Sequence, residues 1–170
     1  MKLYLCALAL LLAACGQEAA PSKVDAPDSL ESVKAADVPA EVAAATEAAL
    51  PGFRILAAER KERDGRVYYD VEGLRADGAE AELDMLQTPE GWRVVEIQRD
   101  IAWGDAPPAV RDLVATSPQA FLPVRVIESR QVDDSSVIYE LFAEDRPEAP
   151  SVEVRVADGR ARFLTEANPH

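Results

Sequence analysis

Apolar residues recur along this chain at two spacings, and the changes from one spacing to the other mark out its elements. Val38, Val42, Ala45 and Ala49 fall on one face at helical spacing. Asp37 is placed to cap that helix, Pro39 sits in its opening turn, and Pro51-Gly52 stops it. Alternation then takes over. Phe53, Ile55 and Ala57 alternate with polar neighbours, Asp64-Gly65 supplies a hairpin turn, and Val67, Tyr69 and Val71 continue the pattern. Ala79, Ala81, Leu83 and Met85 alternate with Glu80, Glu82 and Asp84 in the cleanest period-two run, and Arg93, Val95 and Ile97 form a fourth strand. The order then repeats. A helix is predicted from near Asp105, burying Val110, Leu113 and Val114 and ending before Pro118. It is followed by inward sets at Val124 and Val126; Val137, Tyr139 and Leu141; Val152, Val154 and Val156; and Ala161 and Phe163. One apolar and one charged face per strand is the pattern of an antiparallel sheet covered on a single side.

The repetition extends to short blocks about 70 residues apart, a spacing that points to internal duplication. Asp37-Val38-Pro39-Ala40-Glu41-Val42 returns as Asp105-Ala106-Pro107-Pro108-Ala109-Val110, and Val67-Tyr68-Tyr69-Asp70-Val71 returns as Val137-Ile138-Tyr139-Glu140-Leu141. Phe53 to Leu56 and Glu90 to Arg93 have similar counterparts at Val124 to Ile127 and Asp158 to Ala161. The expected fold class is α+β, with two tandem units at 37–104 and 105–170. Each unit is expected to be a helix packed on its own four-stranded antiparallel sheet.

The segment before the first unit has a different character. Lys2 precedes an unbroken apolar run from Leu3 to Leu12, too short for a bilayer span of about 20 residues, and the run ends in Leu12-Ala13-Ala14-Cys15-Gly16. These residues resemble the lipobox of bacterial lipoproteins. The resemblance implies a signal peptide at 1–14, lipid attached to Cys15, and a membrane anchor facing the periplasm. Gly16, where inner-membrane lipoproteins are associated with Asp, favours the outer membrane over the inner. Residues 15–36 then read as the lipidated cysteine and a flexible tether, rich in Ala, Ser, Pro and charge, with a short helix over Asp28–Ala35 as the one element it could hold.

Composition narrows the chemistry. The formal net charge of −13 would repel a phosphate backbone, which excludes nucleic acid as a natural partner. Cys6 lies in the signal, Cys15 is the lipid site, and His170, the single histidine, is the last residue. The body therefore offers no disulfide, no zinc site of Cys and His, and no Ser-His-Asp or Cys-His catalytic set. No catalytic residue, metal or cofactor is assigned, and the chain reads as a non-enzyme. A candidate interface is formed by Tyr68, Asp70 and Trp92. Tyr68 and Asp70 are expected on the face opposite Tyr69, and Trp92 opposite Val95, because aromatics beside carboxylates suit a protein contact. The competing reading has Tyr68 and Trp92 covered within the fold. Asp133-Asp134-Ser135-Ser136 lacks calcium-loop spacing and reads as a hairpin turn, and Trp103 reads as a wedge between the units. Nothing in the spacing places two carboxylates in a shared apolar pocket.

The run VPAEVAAATEAALPGFRI, the strand DGRVYYDVEG and the hairpin ending in EGWRVVEI resemble the PepSY-like family, including the tandem-repeat relatives of beta-lactamase-inhibitor protein. The similarity covers about residues 37–99 well and 105–166 poorly, where Pro118 and Pro123 interrupt the passage from helix to strand. It implies a noncatalytic periplasmic module, which in some relatives inhibits secreted or envelope enzymes. The leading expectation is a lipid-anchored periplasmic binding module that inhibits or regulates an envelope protein. The alternative is a structural accessory lipoprotein of outer-membrane assembly or maintenance.

Overall fold

The computed structural model describes residues 27–118 and 120–166. The expected signal peptide at 1–14, Cys15 and the first part of the expected tether lie outside the described residues. The described chain runs β1 (Ser29–Lys34), α1 (Ala40–Ala49), β2 (Arg54–Arg63), β3 (Arg66–Leu74), β4 (Glu80–Thr88), β5 (Gly91–Ile101), α2 (Pro108–Ala115), β6 (Arg125–Gln131), β7 (Val137–Phe142), β8 (Val152–Ala157) and β9 (Arg160–Phe163). A single 3₁₀ turn precedes each helix, at Ala35–Asp37 and Trp103–Asp105.

Two Asp-Gly pairs close hairpins by the expected chemistry. Asp64 and Gly65, and again Asp158 and Gly159, all take positive φ, the twist a two-residue hairpin requires. Every strand pairs antiparallel with its neighbour in sequence, so the nine strands form one sheet in the order β1 to β9. The expected pair of separate four-stranded sheets is thereby corrected. The reason lies in β5, whose Glu96–Ile101 segment pairs with Val126–Gln131 of β6 and leaves no free edge between the units. An unpaired edge there would expose a row of backbone donors and acceptors.

A second correction concerns Ser29–Lys34, expected within the tether or a short helix. These residues form β1, paired along β2 from Ser29↔Glu62 to Lys34↔Ala57. Most of their side chains are exposed, and only Val33 packs against the core. Composition there is loop-like because the strand is held chiefly by backbone hydrogen bonds to β2.

Both helices lie on the same face of the sheet. Val42 and Thr46 of α1 are buried on a core containing Tyr69, Val71, Leu83, Met85 and Val94, with the Thr46 hydroxyl donating to the Val42 carbonyl at 2.9 Å. Val110 and Val114 of α2 are buried on Val126, Tyr139, Leu141 and Val154, and Leu113 packs partly buried beside them. Ile97 belongs to the first core and Ile101 to the second, so β5 joins the two on one face. Trp103, the expected wedge, packs against the second core. Asp37 does not cap α1. It sits in the preceding 3₁₀ turn, and Pro39 occupies the entry with no side-chain cap bond.

Two β-bulges alter the inward sets. A shift in the β2–β3 ladder between Ile55 and Ala57 turns Ala58, instead of Ala57, onto the core. Another, between Asp84 and Met85, sets Met85 opposite Val94 and Asp84 opposite Glu96. Trp92, Val94 and Ile97 consequently face the helices, where Arg93, Val95 and Ile97 were expected. A bulge inserts an unpaired residue and changes the facing of everything beyond it, which uniform alternation misses. Val124, expected to point inward, precedes β6 and is exposed. Gly73 is required by packing: a Cβ there would lie 2.3 Å from the Arg54 carbonyl oxygen and 2.7 Å from the Phe53 ring.

Replacing Leu83 or Leu141, both fully buried, with Ala should lower unfolding free energy by about 3 kcal/mol each. Trp92 packs on the first core and Trp103 on the second, so single-tryptophan variants report each half separately. In urea titrations, Leu141→Ala should shift the transition seen by Trp92 as well as that seen by Trp103. The shared β5–β6 ladder couples the two cores.

Candidate functional site: an acidic row on the open sheet face

With both helices on one side, the side chains that alternate away from them share the opposite face. Strand register decides what meets there. Glu59 pairs with Asp70, Asp70 with Asp84, and Asp84 with Glu96, so four carboxylates stand abreast across β2 to β5. The next row sets Glu72 against Glu82 and Glu82 against Gln98. Directly opposed like charges destabilise a sheet, so this arrangement runs against pairing energetics.

The row is also sequestered. Asp70 is 7%, Asp84 3% and Glu96 1% exposed. Lys61 forms an ion pair with Asp70, and the Gln98 amide donates to Asp84 Oδ2 at 3.1 Å. The other Asp84 oxygen, Oδ1, is buried without a hydrogen-bond partner among the described residues. One carboxylate oxygen from each of Asp70, Glu82 and Asp84 lies within 4.8 Å of the others.

Burial disfavours the charged form, and neighbouring carboxylates add to it. Burial, reinforced by Asp84 and then Glu140, pushes the Glu96 carboxyl up to about 9. Burial followed by Asp84 and Glu72 lifts Glu82 to about 7, with Lys61 opposing. Asp84 is raised by burial to about 6, held back by Lys61 and the Gln98 bond. On β7, burial and then Glu153 and Asp84 raise Glu140 to about 7, against the pull of Arg125.

Beside the row a cleft of about 750 Å³ is lined by Glu72, Glu80, Glu82 and Asp100, with Leu56 and Arg125 among its other walls. Arg125 holds Asp100 through Nε at 2.7 Å and lies over the Phe142 ring at 5.2 Å. The cleft therefore carries four acidic residues against two arginines, Arg99 and Arg125, which are paired with Glu128 and Asp100.

The structure separates the three residues of the expected interface. Tyr68 and Asp70 lie on the open face, where Tyr68 pairs with Leu86 and Asp70 with Asp84. Trp92 lies on the helix side, edge-on to Tyr69 with ring centroids 5.1 Å apart, packed against the first core. Asp133 to Ser136 form the β6–β7 turn, in which Ser136 N–H donates to Asp134 at 2.9 Å and Arg155 pairs with Asp134. Spacing alone places no two carboxylates in a shared pocket, but the fold brings Asp70, Glu82, Asp84 and Glu96 together on a sheltered part of the open face. One signal for part of the row was present: folding the chain about the Asp77-Gly78 turn sets Asp70 opposite Asp84. The addition of Glu96 depends on the β4–β5 bulge, which leaves no mark in the alternation.

No protein-family model, no curated protein and no solved structure matches this chain. Among the described residues no helix is long and apolar enough to cross a membrane.

Each raised carboxyl ionises less readily in the fold than in the unfolded chain, where aspartate and glutamate titrate near 4. The stability associated with their neutral forms is complete below about pH 4. It is lost as pH climbs through about 6 for Asp84, about 7 for Glu82 and Glu140, and about 9 for Glu96. In buffer free of divalent cations, the melting temperature should therefore be higher near pH 5 than near pH 9. Glu96→Gln should raise the value at pH 9 and flatten the profile. Glu144→Gln, which removes the same charge from the exposed β7–β8 loop, should do neither. Equal profiles for the two variants would assign the effect to overall charge instead of the row.

Proposed function

We propose that this chain is a lipid-anchored, noncatalytic binding module of the bacterial envelope that engages a protein partner through the open face of its sheet, as an inhibitor or regulator of that partner. The anchor is the lipobox-like Leu12 to Gly16 run, which is the most specific motif in the sequence. The observation that carries the binding role is the asymmetry of the sheet. Both helices cover one side, and the other side presents Tyr68, the acidic cleft and a row of carboxylates whose placement costs stability. Residues that violate local pairing rules in an otherwise consistent fold are characteristic of functional surfaces.

The paired carboxylates also invite an acid–base reading. That chemistry needs two groups able to reach the same substrate. Glu82 lines the cleft, whereas Asp84 is almost wholly buried and does not. Binding accounts for the arrangement with fewer requirements.

Metabolic labelling with palmitate should mark the wild-type chain and be lost in Cys15→Ser; persistent labelling would remove the anchor from the proposal. Cross-linking in intact envelopes should join one protein to a photoreactive residue at Tyr68 or Glu80, and not to one at exposed Asp112 of α2. A deletion strain that alters outer-membrane protein assembly while no cross-link forms would favour the accessory role instead.

A further inference from the structure

We propose that Asp70, Glu82 and Asp84 form a binding site for a divalent cation of the calcium class. Three carboxylate oxygens from two adjacent strands lie within 4.8 Å of one another. Calcium–oxygen distances of about 2.3–2.6 Å allow ligand oxygens to stand up to roughly 5 Å apart. A calcium ion can bridge any pair of these oxygens at such separations, and reaching all three calls for Lys61 to release Asp70. Magnesium, at about 2.0–2.1 Å and in strict octahedral geometry, holds ligand oxygens no more than about 4.2 Å apart and tolerates less spread. All three donors are hard anionic oxygens, and no softer nitrogen or sulfur ligand is available, since the described residues contain neither His nor Cys.

A cluster of acids alone could be a solvated surface. Here Asp84 is only 3% exposed, and its Oδ1 has no hydrogen-bond partner among the described residues. A buried carboxylate oxygen left without a donor is costly, and coordination to a cation satisfies it. The second Asp84 oxygen is already fixed by the Gln98 amide at 3.1 Å, the kind of outer contact that orients a ligating carboxylate. The charge balance points the same way. Lys61 pairs with Asp70 and, together with Arg63, acts on Asp84, so two cations stand against Asp70, Glu82 and Asp84 with the adjoining Glu59 and Glu72. Lys61 keeps 22% of its side chain exposed, enough freedom to swing outward as a doubly charged ion enters. The remaining coordination positions are open to Glu72, which pairs with Glu82 across the strands, and to solvent.

The test uses the full-length chain in detergent, stripped with chelator and titrated with calcium chloride by calorimetry, alongside melting curves. One calcium per chain should bind, with a dissociation constant on the order of 10⁻⁴ to 10⁻³ M, the range of extracellular modules, and should raise the melting temperature. Asp84→Asn and Glu82→Gln should each weaken binding at least about tenfold, and magnesium should bind at least about tenfold more weakly than calcium. Lys61→Met removes the competing ammonium and should tighten binding several-fold, a gain that a damaged fold cannot imitate. A Glu144→Gln/Glu148→Gln control, altered in the loop after β7, should bind as wild type. The proposal is overturned by the absence of saturable binding at 10 mM calcium, by equal binding in Asp84→Asn and the loop control, by magnesium matching calcium, or by weaker binding in Lys61→Met.

Discussion

The pairing of Glu96–Ile101 with Val126–Gln131 is the constraint on which the remaining architecture depends. Without it, the chain would be two small units, a five-stranded and a four-stranded sheet, each with a further free edge. With it, register is transmitted from β1 to β9, and both helices are committed to one side of a continuous surface. A small unit buries a modest fraction of its surface and is correspondingly marginal. Joining the two through backbone hydrogen bonds removes two edges and places Ile97 and Ile101, on one face of the same strand, in the two separate cores.

The same pairing creates the acidic row's environment. In an isolated first unit, β5 would be an edge and Glu96 could turn its carboxyl to water. Once β6 and β7 lie alongside, Glu96 is enclosed between Asp84 and Gln131, and Glu140 on β7 joins the field that raises it. The unusual electrostatics of the open face thus arise from tandem assembly, although most of the carboxylates belong to the first unit alone.

This division explains what could be read from the chain beforehand. Helices and strands were legible where side chains alternate cleanly against a helix, as in Ala81, Leu83 and Met85. The Asp64-Gly65 turn was legible because positive φ leaves a chemical signature. The joining of the sheets was not, since it is made by backbone groups that every residue carries. Nor was β1, whose side chains contribute little beyond Val33. Trp92 was assigned to the wrong face because the single-residue shift at Asp84/Met85 has no compositional trace. Of the site, Tyr68 and Asp70 were placed on the open face by parity, whereas the convergence of Asp70, Glu82, Asp84 and Glu96 required the register of three strands at once.

That convergence bears on why the acids are there. Nothing in sheet formation calls for carboxylates at the central, least exposed positions of β4 and β5. Ile138 on β7, equally buried and facing the same side, shows that an aliphatic residue is accommodated on this surface. Charged residues on an open face usually serve solubility, and they do so from exposed positions with alternating sign. Asp84 and Glu96 satisfy neither condition, being hidden and set against other carboxyl groups, with Lys61 and Arg63 acting on Asp84 and Gln131 bonding Glu96. A solvating role is therefore a poor explanation for them. Their placement makes physical sense if a positive charge from outside the fold completes the row, since the repulsion that weakens the isolated protein then becomes attraction toward whatever supplies that charge.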